Sequence, residues 1–258
     1  MFHIVYPMFE RGRIMKKELL LALRDYSFGL TKVEFQDWTD GIISGCNVVA
    51  KENHLIIEPG IIKFNKFIYI MTEPQHIHYE ATEQLSVVKI RFSTTAASTT
   101  DFVNYSGYSV IEQETNLSEN ELEVCRFKLK QGSRLRHDYT DFHDIQTEYD
   151  TINLAHATWA GPDRPGIALP ILKWFGKEAM SCYLTESWDV NFCSLCMTGG
   201  MIHRDVLEGY LRFAGMVVSG EETNLEIYQM LSDRLDYLKR NRKEPKQAGR
   251  KRPMIVLD

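Results

Sequence analysis

Hydrophobic and polar positions change their period several times along the chain. After an opening stretch read as extended around Pro7, the apolar residues Ile14, Met15, Leu19, Ala22, Leu23 and Tyr26 recur at intervals of three and four, and charged residues lie mostly between them. That spacing predicts an amphipathic helix from Glu10 to Tyr26. Thr31 to Trp38 (TKVEFQDW) alternates apolar and polar residues, which predicts a strand with one buried face. From Asp40 to Phe92 short β-prone runs are separated by Asp-Gly, Ser-Gly, Glu-Asn, Pro-Gly and Asn-Lys. Such punctuation predicts a small antiparallel β-module. Pro59-Gly60 has the composition of a type II turn centre. Residues 93–120 are rich in Ser, Thr and Asn and read as a loop with one strand around Tyr108 to Ile111. Glu121 to Lys130 alternates again and returns the chain to the sheet.

Beyond Arg134 the period lengthens. Leu135, Tyr139, Phe142, Ile145, Tyr149 and Ile152 fit either a helix or an irregular strap, and Ala160 to Gly166 (AGPDRPG) is a breaker cluster suited to an interdomain link. Helical periodicity then covers about 168–185, about 201–218 and Asn224 to Arg240. The fold class expected is α+β: an N-terminal helix, a small antiparallel β-domain of sandwich or barrel type, a mainly helical C-terminal subdomain and an extended basic arm. The corresponding boundaries are 1–30, 31–132, 133–166, 167–240 and 241–258. The arm ends in PMIVLD, a short apolar strand suited to β-augmentation of a neighbouring subunit or to packing on its own domain.

Composition narrows the function more than the fold. A net charge of -5 argues against a general polyanion binder, the basic run Lys239 to Arg252 excepted. No apolar run reaches the ~20 residues of a membrane span, and the start lacks the features of a secretory signal, so a soluble protein is expected. Five cysteines, an odd number, suit a reducing compartment better than a disulfide framework.

Three constellations carry candidate chemistry. Cys193-x-x-Cys196, with Cys182 before it and His203 after it, supplies a zinc ligand set by residue type. Its spacing fits no common knuckle and it lies in an apolar, helix-like run, where cysteine ordinarily serves as a small hydrophobe. His137 to Asp144 (HDYTDFHD) gathers two histidines and three carboxylates, and a metal-dependent hydrolase would draw on His137, Asp141 and His143. The bland alternative is a polar face or an interface network. His76 and His78 share a strand face and read as surface residues. Phosphate loops, nucleophile elbows and His-Glu-x-x-His helices do not occur in the sequence. The basic run leaves a nucleic-acid-binding accessory role open.

The segments FERGRIMKKELLLALRDY, DGIISGCNV, IIEPGIIKFNKFIYIM, FKLKQGSRLRHDYTDF and TEYDTINLAHATWAGP resemble a group of proteins encoded among phage tail genes of Gram-positive bacteria, in prophages and phage-tail-like contractile particles. The likeness spans roughly residues 8–165. It implies a non-enzymatic structural component of a baseplate, or an adaptor for tail fibres, with no cofactor and no catalytic residues. The partners implied are other tail or baseplate subunits, tail fibres and further copies of the chain as a dimer or trimer. The location implied is the particle, assembled in the bacterial host cytoplasm.

Overall fold

The computed structural model describes residues 7–241 except Glu10, Arg13 and Asp101. The expected basic arm beyond Asn241, with its terminal strand, lies outside the described residues, as does most of the extended start. The first element is helix α1 (Lys17–Glu34), which buries none of its side chains. It starts and ends later than the sequence period predicts, and it takes up the first half of the strand expected over Thr31 to Trp38. The apolar intervals themselves continue past Tyr26 through Leu30 and Val33, and the hydroxyls of Ser27 and Thr31 within this stretch are satisfied by the carbonyls of Leu23 and Ser27, four residues back.

Six strands follow: β1 (Gly41–Gly45), β2 (Val48–Ala50), β3 (His54–Ile57), β4 (Gly60–Phe64), β5 (Phe67–Met71) and β6 (Gln75–His78). They form two antiparallel sheets in the orders β1-β4-β5 and β2-β3-β6. Because Gly45 pairs with Gly60 and Val48 with Ile57, the two sheets are halves of one three-stranded meander bent along a common line. The bend crosses Cys46-Asn47, Glu58-Pro59 and the turn at Thr72 to Pro74. Gly60 sits at this corner for lack of space, since a Cβ there would lie 2.4 Å from Cys46 Sγ and 2.5 Å from Cys46 N. Its φ is not positive, so the type II turn expected at Pro59-Gly60 does not form. The true reversal is Asn65-Lys66, with φ of 45° and 71° at its centre, as a two-residue hairpin requires.

A third sheet has the order β10-β7-β11, built from β7 (Leu85–Phe92), β10 (Gly107–Glu112) and β11 (Glu121–Lys128). The loop between β7 and β10 carries a two-residue ribbon, β8 (Ala97–Ser98) with β9 (Val103–Asn104). Phe64 of β4 stacks on Phe92 of β7 at 4.1 Å, which joins the bent meander to the third sheet. Lys89, almost fully buried in β7, donates to the Asn116 carbonyl and pairs with Glu121 at 3.3 Å.

From Arg134 the chain is irregular, with one 3-10 turn at His143–Gln146. The breaker cluster Ala160–Gly166 is bonded closely to its surroundings. Ala160 N–H donates to the Ile42 carbonyl, Gly161 exchanges bonds with Thr39, and Asp163 N–H reaches the Asp37 carbonyl. Four helices complete the fold: α2 (Leu169–Met180), α3 (Ser187–Thr198), α4 (Arg204–Phe213) and α5 (Asn224–Arg240). One buried apolar cluster runs without interruption from the sheets into these helices. Phe142 of the irregular stretch packs against the helices, stacked on Tyr228 at 4.8 Å and edge-on to Phe175 at 5.8 Å. Asp189 of α3, itself buried, holds Arg234 of α5 at 2.6 Å and accepts the Tyr210 hydroxyl of α4. Breaking such a pair by removing one partner costs about 3–5 kcal/mol, because the other charge stays buried. The architecture is the α+β class expected, with an N-terminal helix, small antiparallel sheets and a helical C-terminal region.

Candidate functional site

The most unusual surface belongs to α1. Leu19, Leu23, Tyr26, Leu30 and Val33 follow one another at intervals of four, three, four and three, the spacing of a coiled-coil seam. The last four are between 45% and 66% exposed, and Phe28 beside them is 71% exposed. A lone helix of this length gains most of its stability by packing an apolar face, yet α1 buries no side chain among the described residues. A contiguous exposed apolar row of this size is uncommon on the surface of a folded chain. The sequence reading stopped at Tyr26 and so missed Phe28, Leu30 and Val33. The signal was present, because the intervals continue through Ser27 and Gly29.

The residues singled out for chemistry do not converge on a metal-binding arrangement among the described residues. Cys193 and Cys196 are buried on α3, and Cys182 is buried just past α2, its thiol 3.6 Å from the Glu178 carbonyl. Burial, reinforced by Asp189, pushes the Cys193 thiol up to about 12, and burial pushes Cys196 up as well. These are protonated thiols in an apolar core. His203 caps α4 instead of joining them: its Nδ1 accepts the Asp205 N–H at 3.2 Å. Among the described residues no three His, Cys, Asp or Glu side chains form a group able to hold a metal ion.

The His137 to Asp144 stretch divides in the same way. His137 Nδ1 accepts the Ala50 N–H of β2, whereas the ring of His143 lies between Ser232 and Asp236 of α5, at 2.7 and 3.0 Å. Asp141 accepts the Asp144 N–H. Burial pushes the Asp144 carboxyl up, but the Arg136 guanidinium, the Thr140 N–H and the Thr147 hydroxyl outweigh it and hold the group down at about 2. A carboxylate pinned in that way supports structure and cannot exchange protons near neutrality. His76 and His78 are exposed on one face of β6, and His78 lies edge-on to His54 at 5.3 Å. In the basic run, Lys239 is bound to Glu178 at 2.6 Å. Lys243, Arg250, Lys251 and Arg252 lie outside the described residues.

Two clefts of about 360 Å³ open on the body. The first, at the start of α5, is lined by Arg164 and Arg204, whose guanidiniums are already engaged. Arg164 holds Glu208 at 2.6 Å, and Arg204 bonds Glu208, Asn224 and the Glu222 carbonyl. The second is mainly apolar and lies between β2 and α2, with Val48, Val49, Tyr139, Leu154, Trp159 and Trp174 in its walls.

No known family pattern matches the chain, and no curated protein matches it. Among solved structures it is similar to a crystal structure of TssK, with a TM-score of 0.40 and 8% identity over 94% of this chain and 73% of that one. It is also similar to a chain of the TssK-TssF-TssG baseplate subcomplex of the type VI secretion system, seen by cryo-electron microscopy. There the TM-score is 0.37 and the identity 11%, over 92% of this chain and 100% of that one. A chain of the baseplate complex from the type VI secretion system gives a TM-score of 0.29 and 10% identity over 91% and 100%. At such TM-scores the likeness carries no assignment to this chain.

Proposed function

We propose that this chain is a non-enzymatic structural component of a phage tail or phage-tail-like contractile particle, acting in the baseplate or as a tail-fibre adaptor. The observation that carries this reading is the unburied heptad row of α1, which no side chain among the described residues covers. A row repeated at that spacing is self-complementary, so copies of α1 side by side bury the same positions in a dimer or trimer. The sheet and helix surfaces are then left for other baseplate subunits and fibres. The resemblance of residues 8–165 to tail-gene products supports the same role, with assembly in the bacterial host cytoplasm. An enzymatic reading has less support, because the cysteines are sealed in the core and Asp144 and His143 are committed to structural bonds.

Light scattering on the purified chain tests the contact element. The unmodified protein should run as a dimer or trimer of the 29.9 kDa subunit, and Leu23→Asp with Leu30→Asp should give the single-subunit mass while still unfolding in a cooperative thermal transition. A monomer at the outset, or an unaltered mass in the variant, overturns it. Mass spectrometry of sedimented tail particles tests the location; an intact particle lacking the chain rules out the role.

A further inference from the structure

Most sheet edges are closed by the chain itself. Ile42 of β1 bridges to Trp159, Arg126 of β11 bridges to Asn153, and the Ala50 N–H of β2 donates to His137. β10 and β6 face each other, tied by Ser109 and Gln75. β5 is the exception: it is the outer strand of the order β1-β4-β5, and among the described residues no strand or bridge lies beyond it. We infer that β5 pairs in antiparallel fashion with β5 of a second copy of this chain, across a two-fold axis at Tyr69. The inference rests on the reading of α1 as a contact element and names the partner as one further copy.

The hairpin fixes which main-chain groups are free. Phe64 and Phe67 flank the two-residue turn at Asn65-Lys66 and bond each other, so Tyr69 and Met71 also turn their main chain toward β4. Ile68 and Ile70 then direct N–H and C=O outward from the edge. In an antiparallel register centred on Tyr69, Ile68 lies opposite the partner's Ile70. Each donates to and accepts from the other, and the symmetry repeats the exchange. The side chains agree with this pairing. β5 reads FIYIM, without the charge or proline that keeps exposed edges apart. Tyr69 packs on Phe92 at 4.7 Å, which turns Ile68 and Ile70 to the opposite face, and Ile70 is 64% exposed. Pairing sets isoleucine against isoleucine, a β-branched cross-strand contact.

Charge and the course of α1 fit the same axis. Lys66 precedes β5 and Glu73 follows it, both exposed. An antiparallel two-fold brings Lys66 of each copy to the partner's Glu73, whereas parallel pairing would set like charges together. Lys63, the cross-strand neighbour of Ile68, donates to the Gln36 and Trp38 carbonyls just beyond α1. The chain therefore passes from α1 onto the sheet at the face that carries Ile68 and Ile70, and Cα atoms of α1 come within 8 Å of β5. The axis that joins the strands brings both exposed apolar rows to one side of the extended sheet.

Light scattering and hydrogen exchange on the full-length chain separate this pairing from the contact through α1. The unmodified protein should have twice the subunit mass, and residues 67–71 should exchange about tenfold faster in the Leu23→Asp, Leu30→Asp variant. Tyr69→Cys should oxidise in air to a disulfide-linked dimer, because the axis sets the two thiols face to face, whereas Phe67→Cys should stay unlinked. Lys66→Glu should weaken dimerisation about tenfold, and adding Glu73→Lys should restore it. A dimer in which residues 67–71 exchange as fast as in the α1 variant overturns the strand pairing and leaves α1 as the contact. Phe67→Cys linking as readily as Tyr69→Cys, or a trimer, does the same. A single-subunit mass for the unmodified protein overturns both. Slow exchange that persists in the single-subunit variant assigns the edge to a segment of the same chain and overturns the pairing between copies.

Discussion

Helices α1 and α5 are nearly equal in length, 18 and 17 residues, and both carry an apolar row at helical spacing. Their ends and neighbours differ. At the start of α5, Thr223 accepts the Glu226 N–H while the Glu226 carboxylate accepts the Thr223 N–H, and its last turn holds Lys239 and Arg240. The reciprocal bonds satisfy two otherwise unpaired donors, and cations at the far end complement the helix dipole. Ile227, Tyr228, Leu231, Arg234, Leu235 and Leu238 are all buried. By contrast α1 has no side-chain cap, contains Gly29 and buries nothing. Periodicity alone therefore identifies an apolar face without saying whose surface covers it. In α5 the cover is the chain's own core, and in α1 no described residue supplies one.

The comparison breaks or sharpens most sharply at the row itself. Leu231→Ala should lower the unfolding free energy by about 2–5 kcal/mol in urea titrations, through lost burial and a residual cavity. Leu30→Ala should leave the dissociated subunit within about 0.5 kcal/mol and act on association instead. Equal losses at the two positions would remove the distinction.

Acid should act next, and only on the packed body. Burial, helped by the nearby Arg126, holds the His156 imidazole down at about 4, from an ordinary 6.5. The unfolded chain therefore takes up this proton first, and stability present above 6.5 is lost as the pH falls toward 4. Asp144, depressed from 3.8 to about 2, contributes stability that is present above 3.8 and is lost as the pH falls through about 2. Melting temperatures across that range should decline in two stages, and His156→Gln should flatten the first. A level profile in the unmodified protein would contradict the assignment.

The smallest effects lie at the helix termini and backbone. Thr223→Ala should cost about 1 kcal/mol by removing the cap of α5. Gly29→Ala has open space around it and should favour the helical form of α1 by up to about 1 kcal/mol. Circular dichroism against concentration would show the second change as tighter association.

Much of this fold was legible because its signals are local. The range Asn224 to Arg240 carries helical periodicity, and it agrees with α5. The turn at Asn65-Lys66 and the strand from Glu121 were marked by composition and alternation. Misreadings arose where a local cue had a different physical cause. Gly60 suggested a turn, but the glycine is there because Cys46 leaves no room for a side chain. Thr31 to Glu34 alternates like a strand, yet Leu30 and Val33 also continue the three-and-four spacing, and α1 runs through it. The ion pairs were not legible at all, since Asp189 and Arg234, or Lys89 and Glu121, meet only after folding. For the candidate surface, Leu19, Leu23 and Tyr26 of the α1 row were visible and their exposure was not, because exposure depends on what the rest of the chain leaves uncovered.

The solitude of α1 also sets a reaction order. A helix that finds its cover within one molecule forms at a rate independent of dose. On the proposed reading, α1 becomes fully stable only in a step second order or higher in subunit, so dilution slows it steeply. Early in synthesis, when copies are few, the folded body would accumulate with its contact helix unconsolidated. Assembly would then begin abruptly once subunits reach the concentration at which these helices meet, and the timing of particle construction would be encoded in the abundance of its parts.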